Sequence, residues 1–318
     1  MAHSIPSPSV TGRLAQLSDA DMRLLKVFKA VADCGGLSAA GLELNIGVST
    51  VSRHVKDLEI RLGLVLCRRG RAGFGLTPEG QRVYDETARL LGAVDVFRGS
   101  IDDIHQQMGG QLEVGIFDKV ASNPEAAIGQ AVSGFVARAP GVALRIQVNT
   151  IAAIERGVLD GSLHLGIIPA HRASPAFTYD DLFGETMLLY CGASHPLHGA
   201  DNRRLGWKAL QRYRFAGLGY HSPNMELSHR EGLQRAATGL DQESIAILVL
   251  SGQFLGFLPN HYGDGFVQTG QMRPVNPETL RYDCRFQCIL RRSPAASRAA
   301  LAMREQLLLA HGRPAALP

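Results

Sequence analysis

Thr50, Ser52, Arg53 and Lys56 carry hydrogen-bond donors and acceptors, and none lies on the apolar stripe of its own segment. That stripe is Val51, Val55, Leu58 and Leu62, spaced 4, 3 and 4 apart, which is the helical period. The polar set, with Ser49 just ahead of it, must therefore face outward, where such groups can read base edges and hold phosphates. Any amphipathic helix has a polar solvent face, so the flanking residues decide. Ahead of the segment, Ser38 can cap a short helix and Asn45 to Gly47 supply turn residues. Behind it, a short apolar strand after Gly63 leads to Arg68, Arg69 and Arg71 among Gly70, Gly73 and Gly75. Three arginines on a glycine-rich hairpin form a ribbon that can lie along a phosphate backbone. Two short helices, a sharp turn and this ribbon put an outward-facing second helix where a major groove would receive it.

The elements that hold this set in place are legible on both sides. Ser18 and Asp21 form a capping box for a first helix with a buried stripe of Leu24, Val27, Phe28 and Val31, ended by Cys34, Gly35 and Gly36. Thr77, Pro78 and Glu79 combine a capping hydroxyl, a first-turn proline and an acid at the positive end of the helix dipole. From there Val83, Leu90, Val94, Phe97, Ile101, Ile104 and Met108, with Thr87 filling one slot, alternate spacings of 4 and 3. A repeat of 3.5 held this long is a coiled-coil seam, and it predicts a dimerisation strut about 46 Å long.

The stretch AAGLELNIGVSTVSRHVKDLEIRLGLVLCRRGRAGFGLTPEG resembles the DNA-binding signature of the LysR-type transcriptional regulators, strongly over residues 18–108. The resemblance implies a leader over 1–17, a winged helix-turn-helix over 18–77, a linker and dimerisation helix over 78–108, and an effector-binding domain over 111–312. It implies DNA contacts at Ser38, Ser49, Thr50, Ser52, Arg53, Lys56, Arg68, Arg69, Arg71 and Thr77. It implies subunit contacts at Leu90, Val94, Phe97, Ile101 and Ile104, in a dimer or a tetramer built as a dimer of dimers. Gly47, Val48 and Ser49 depart from the Ser-Gln-Pro or Ser-Gln-Ser with which such regulators usually open the recognition helix. The target sequence therefore does not carry over. Cys67 replaces a common wing-strand Phe, a packing change.

Beyond a Gly109-Gly110 hinge, strands and helices alternate. QLEVGIF, ALRIQV and LHLGII read as strands, with helices from Ser122 to about Arg138 and from Ile151 to Leu159. Such alternation implies right-handed crossovers and a parallel, doubly wound α/β sheet. A second set follows: TMLLYCG, RFAGLG, a helix near Glu243 to Leu250, and FLGFLP. The chain then returns through RYDCRFQCILRR and a closing helix, Ala295 to Ala310. Two such lobes, the second over about 180–265, resemble the periplasmic-binding-protein-like effector domain of the family. Ligands bind at the carboxyl ends of strands in open α/β sheets. The residues expected there are Ser122, Asn123, Asn149, Thr150, Pro169, Ala170 and His171 in the first lobe. Leu218, His221, Phe254 and Gly256 are their expected counterparts in the second. Hydroxyls and amides beside helix N-termini, with no acid at those positions, favour a small organic anion as effector.

Charge is divided unevenly. Residues 1–75 hold 10 Lys and Arg against 6 Asp and Glu, while residues 76–318 hold 23 of each, so the net charge of +4 lies wholly in the first segment. That is the distribution expected if this segment alone meets double-stranded DNA. No apolar run approaches the ~20 residues of a membrane span, and the Ser/Pro-rich start lacks a signal-peptide core, which predicts a cytoplasmic protein. Cys34, Cys67, Cys191, Cys284 and Cys288 are an odd set, expected as free thiols. Cys284 and Cys288 lie four apart on one strand, about 13 Å, too far to bridge. A redox-responsive regulator acting through cysteine is the alternative they raise. His195 and His198 have a metal-compatible spacing but no evident third ligand, and a His-Pro turn accounts for them. With no phosphate loop, Gly-x-Ser-x-Gly elbow or Cys-x-x-Cys pair, an enzyme with an appended DNA-binding domain has no catalytic set, and no cofactor is implied.

Overall fold

A computed structural model describes residues 17–70, 73–104 and 108–313, which form two compact units dividing between Asp95 and Val96. The leader expected over 1–17 lies, except for Leu17, outside the described residues.

The first unit opens with α1 (Asp19–Asp33), capped by the expected box: Ser18 accepts from the Asp21 backbone N–H, and the Asp21 carboxylate accepts from the Ser18 backbone N–H. α2 (Leu37–Glu43) and α3 (Val48–Leu62) follow, joined through Asn45 in the left-handed region at φ 52°. Phe28, Val31, Val51, Val55 and Leu58 are fully buried, so the stripes of α1 and α3 meet in one core. Ser38 is not a cap. Gly36 precedes α2 and no side chain caps it, leaving Ser38 exposed in the first turn.

The ribbon is β1 (Cys67–Gly70) paired antiparallel with β2 (Gly73–Leu76). It starts later than the sequence predicts, because Leu64 and Val65 are exposed loop residues rather than strand. A side chain replaces ladder bonds there: Glu59 Oε1 accepts from the backbone N–H groups of Leu66 and Cys67 at 2.8 and 3.3 Å. α4 (Pro78–Ile104) begins at Thr77, whose hydroxyl accepts from Gly80 N at 2.8 Å and donates to Val65 O at 2.6 Å.

The second unit is built on a nine-stranded sheet ordered β4-β3-β5-β11-β6-β9-β7-β8, with β10 paired to β6. In chain order its first elements are β3 (Gly110–Ile116), α5 (Ile128–Arg138), β4 (Val142–Val148), α6 (Ile151–Asp160) and β5 (Leu165–Pro169). The long β6 (Phe177–Gly192) leads to α7 (Trp207–Leu210), β7 (Phe215–Leu218), α8 (Pro223–Arg230), β8 (Arg235–Gly239) and α9 (Gln242–Leu250). β9 (Leu255–Pro259), α10 (Asn260–Gln268), β10 (Met272–Pro274), β11 (Arg281–Arg291) and α11 (Arg298–Ala310) complete it.

Strands β3, β4 and β5 are parallel, and so are β7, β8 and β9. Of these, β5, β7 and β9 are buried throughout, as parallel strands covered on both faces are. Period-2 alternation sorts the second set's residues: Met187, Leu189, Phe215 and Phe257 pack on one face, and Leu188, Tyr190, Ala216 and Leu258 on the other. Among the described strands, β6 and β11 alone run from one lobe into the other. β6 is antiparallel to β11, and β11 is antiparallel to β5, so β6 points the same way as the first lobe's strands. It is antiparallel to β9, so the second lobe's strands point back. The carboxyl edges of the two lobes therefore face one another, which is where a ligand cleft belongs.

One helix starts later than expected. Val120–Ser122 is a single 3-10 turn, and α5 begins at Ile128. Asn123, buried, precedes Pro124, which disfavours helical geometry there, and its side chain bonds Gly184 O and Glu125 N instead.

Candidate DNA interface and interlobe cleft

In the first unit, Ser49, Arg53 and Lys56 are exposed and Thr50 and Ser52 half-buried, away from the buried face of α3 that carries Val51, Val55 and Leu58. Arg68 is exposed on the ribbon; of Arg69 the backbone alone is described, and Arg71 lies outside the described residues. Arg61 is held to Asp21 of α1, which fixes the far end of α3 and leaves Arg53 and Lys56 as its outward cations. Thr77 is a correction. It is 5 % exposed and its hydroxyl is used twice within the fold, so it has no group to offer a phosphate. Val48, 44 % exposed at the first position of α3, escapes a reading of the sequence that looks for polar groups. It presents methyl groups of the kind that meet a thymine methyl.

Along α4, Phe97 is 66 % and Ile101 38 % exposed, Val94 is half-buried, and of Ile104 only the backbone is described. Leu90 differs from expectation: it packs on the first unit's own core with Val83 and Tyr84. The helix turns its first part onto that core, and its exposed apolar side chains, Phe97 and Ile101, lie beyond Leu90.

Between the lobes, a residue just beyond β3 carries the chemistry. Asp118 Oδ2 accepts from the backbone N–H of Gln242, at the N-terminus of α9, at 2.8 Å. Burial pushes the Asp118 carboxyl up to about 6, against the pull of that bond. Next to it Lys119, in the left-handed region, pairs with Glu243 and lies 4.5 Å from the centre of the Tyr262 ring. Burial works against the Lys119 charge, but the bonds to Glu243 and Tyr262 raise its pKa overall. Ser122 Oγ lies 2.9 Å from His261 Nδ1, whose Nε2 lies 3.1 Å from buried Glu185. Phe117 meets Tyr220 edge to face at 6.3 Å, and His171 stands 6.0 Å from His221. Beside the Glu185 end lies a pocket of about 360 Å³, bordered by Asn123, Thr186, Asp264 and Cys284 among others.

The expected effector residues divide. Ser122, His171 and His221 make these contacts across the cleft, and His171 is anchored by Glu155 at 3.3 Å. Asn149 and Thr150 stand at the end of β4, with Thr150 capping α6 through the Ala153 N–H. Pro169 is buried at the end of β5, and the Ala170 N–H donates to Arg285 O, across to β11. Leu218 is a core residue at 4 % exposure, present at the cleft edge through its backbone alone. Phe254 and Gly256 are corrections. They sit at the start of β9, where Gly256 pairs with Tyr190, and the carboxyl end that faces the first lobe is Pro259 with Asn260 and His261. The sequence points to the wrong end of that strand because β9 is buried throughout and carries no polarity signal of its own. Asp118 stands out in the sequence only as an acid close to the expected positions, and the residues the sequence does not reveal are Lys119, Glu185, Tyr220, Gln242, Glu243 and His261. Asp241, which caps α9 through Ser244 N at 2.7 Å, is the available sign that a strand ends just ahead of it.

Cys191, Cys284 and Cys288 form no disulfide and offer little thiolate. Burial pushes Cys191 up to about 11 and raises Cys284 and Cys288 well above the ordinary thiol range. His195 accepts the Leu197 N–H at 3.2 Å within a tight turn. Among the described residues no group of three or more His, Cys, Asp and Glu could hold a metal ion.

Residues 22–81 match the model of the bacterial regulatory helix-turn-helix protein, lysR family, and residues 105–311 match the LysR substrate binding domain. The chain belongs to the LysR family of transcriptional regulators. It is 38 % identical over 269 residues to the HTH-type transcriptional activator BauR of Pseudomonas aeruginosa, covering 85 % of this chain and 88 % of that one. It is similar in fold to CbnR, a LysR family transcriptional regulator, with a TM-score of 0.61 at 18 % identity over 91 % of this chain and 99 % of the other. Full-length OxyR from Pseudomonas aeruginosa gives a TM-score of 0.57 at 18 % identity over 92 % and 95 %. BauR and CbnR are transcriptional regulators rather than enzymes, and the raised Cys191, Cys284 and Cys288 thiols do not favour a redox-responsive reading.

Proposed function

We propose that this LysR-family regulator binds double-stranded operator DNA through α3 and the β1–β2 ribbon, and that a small organic effector bound between its lobes modulates that binding. Residues 18–77 would form the DNA-binding head, 78–108 the strut, and 111–312 the effector-binding part, with its second lobe over about 180–265. The observation that carries this is the cleft: two carboxyl edges face each other, bridged by contacts that are individually weak. The Lys119–Glu243 pair is partly exposed, and pairs of that kind contribute about 0–1 kcal/mol. Bridges so modest leave the angle between the lobes open to bias by a ligand.

In the head, Arg53 and Ser52, with Thr50 and Ser49, reach base edges, Val48 meets a thymine methyl, and Lys56 and the ribbon arginines hold phosphates. Along the strut, Val94, Phe97, Ile101 and Ile104 pack against a second copy, giving a dimer that can pair into a tetramer. The protein works in the cytoplasm, with the promoter DNA; no described helix is long and apolar enough to cross a membrane. Selection from random duplex DNA tests the reading. A recovered motif with two-fold symmetry supports it, and enrichment of no sequence above background would sink it.

A further inference from the structure

Three buried oxygen atoms at the interlobe cleft have no hydrogen-bond partner: Asp118 Oδ1, Tyr220 Oη and Gln242 Oε1. They come from both lobes and share one neighbourhood. Gln242 donates its backbone N–H to the other oxygen of Asp118, and the Tyr220 ring meets Phe117, the residue before Asp118, at 6.3 Å. The Tyr220 hydroxyl also feels the charges of Asp118 and Asp241, and burial holds it neutral. Gln242 is 3 % exposed, so its amide oxygen cannot turn to solvent for a partner. Buried polar groups are ordinarily satisfied, and three orphans together call for a guest.

Their chemistry is one-sided. A carboxylate oxygen and an amide oxygen only accept, and a phenol oxygen can accept as well. The charge is one-sided too. Asp241 and Glu185 act on Asp118 with the same sign, and Lys119, the opposing cation, is already committed to Glu243 and the Tyr262 ring. An ammonium group answers both requirements, because it brings three donors and one positive charge.

We propose that the effector carries a primary amine, and that its ammonium group is received by Asp118 together with Tyr220 and Gln242. This rests on reading the cleft as the effector site, and it replaces the anionic effector expected from sequence. That expectation counts helix N-termini and finds no acid at the strand ends. Asp118 lies two residues beyond β3 and supplies one. A carboxylate in the effector would have to sit at the opposite end of the molecule from the amine.

Titration calorimetry and thermal shifts on the full chain, with butylamine, 4-aminobutyrate and butyrate as matched four-carbon probes, test the proposal. Butylamine or 4-aminobutyrate should raise the melting temperature at about 10 mM, and butyrate should not. Asp118→Asn keeps the shape and removes the charge, and it should weaken amine binding about tenfold or more, with Tyr220→Phe weakening it less. Binding of butyrate in preference to both amines would overturn the ammonium while leaving the cleft reading intact. Unchanged amine affinity in Asp118→Asn would overturn it as well, as would a wild-type chain that neither amine stabilises. Failure of the cleft reading itself looks different: a ligand from a metabolite library whose affinity survives substitutions at Asp118, Tyr220, Ser122 and His171 alike.

Discussion

On the proposed reading, Asp118 and Arg53 are the two side chains on which most depends, one for the effector and one for DNA. Burial holds the Asp118 carboxyl up to about 6, above its ordinary value of 3.8, so folding favours its protonated form. The stabilisation this gives is complete below the ordinary value and is lost as pH rises through about 6. Asp118→Asn should therefore be more stable than wild type at neutral pH, by about 1–3 kcal/mol, with the gap closing near pH 4. Melting temperatures at the two pH values decide it, and a constant gap would assign the effect to something other than this charge. Asp241, Glu185, Lys119 and Tyr220 all bear on the same carboxyl and remain in both proteins. At the other end of the chain, Arg53→Ala should cost about 1–3 kcal/mol at the specific site if the contact is bidentate to a guanine. Arg68→Ala should instead weaken all duplexes alike and flatten the salt dependence by roughly one unit of slope. Footprinting across a salt series separates the two, and a uniform loss from Arg53→Ala would move that residue to the backbone.

Among elements, the start of α4 is the most tightly made. A Cβ at Gly80 would stand 2.0 Å from Leu66 O, a backbone atom that also accepts the Thr77 N–H. Alanine would gain about 1 kcal/mol in helix propensity, but the collision forces the loop and helix apart. Gly80→Ala should lower stability by about 2–4 kcal/mol net, read from a denaturant midpoint. Further along, Phe97→Glu should yield monomers in sedimentation and abolish operator binding, since two half-sites must be held together. An intact dimer of that variant would place the subunit contact elsewhere. The elements legible in the sequence have unbroken signals: the stripes of α1 and α3, the Ser18 box, and the Thr77–Pro78 start. Those that are not legible lack them. β8, Arg235–Gly239, is built largely of small residues and is half exposed. α10, Asn260–Gln268, holds two glycines. β6 shows itself only over its last part, because Asp180, Asp181 and Gly184 interrupt its apolar pattern; those residues instead pair with β11 and its neighbours. α8 is the exception, since Ser222 and Pro223 repeat the signal that marks Thr77 and Pro78. The cleft is legible as a rule about strand ends and illegible in detail, because its partners are separated by more than a hundred residues: Asp118 and Gln242, Ser122 and His261.

For the whole molecule, the effector and the operator should be coupled, with each changing the affinity of the other by the same factor, typically worth about 1–3 kcal/mol. Calorimetry of an effector with and without operator DNA measures this, and equal affinities would leave the cleft without a regulatory output. A separate consequence follows from the path of the chain. The second lobe is nearly contiguous, but the first is not: its sheet needs β11, and its α5 packs against α11, which ends at Ala310. On a ribosome the head emerges first and the second lobe can close next, while Phe135 and Ala131 wait for the last helix of the second unit. Domains fold as units in the order they emerge, so the lobe that is synthesised first would be finished last. The face left waiting is apolar, which makes the interval between α5 and α11 the part of biosynthesis in which this protein most needs a chaperone.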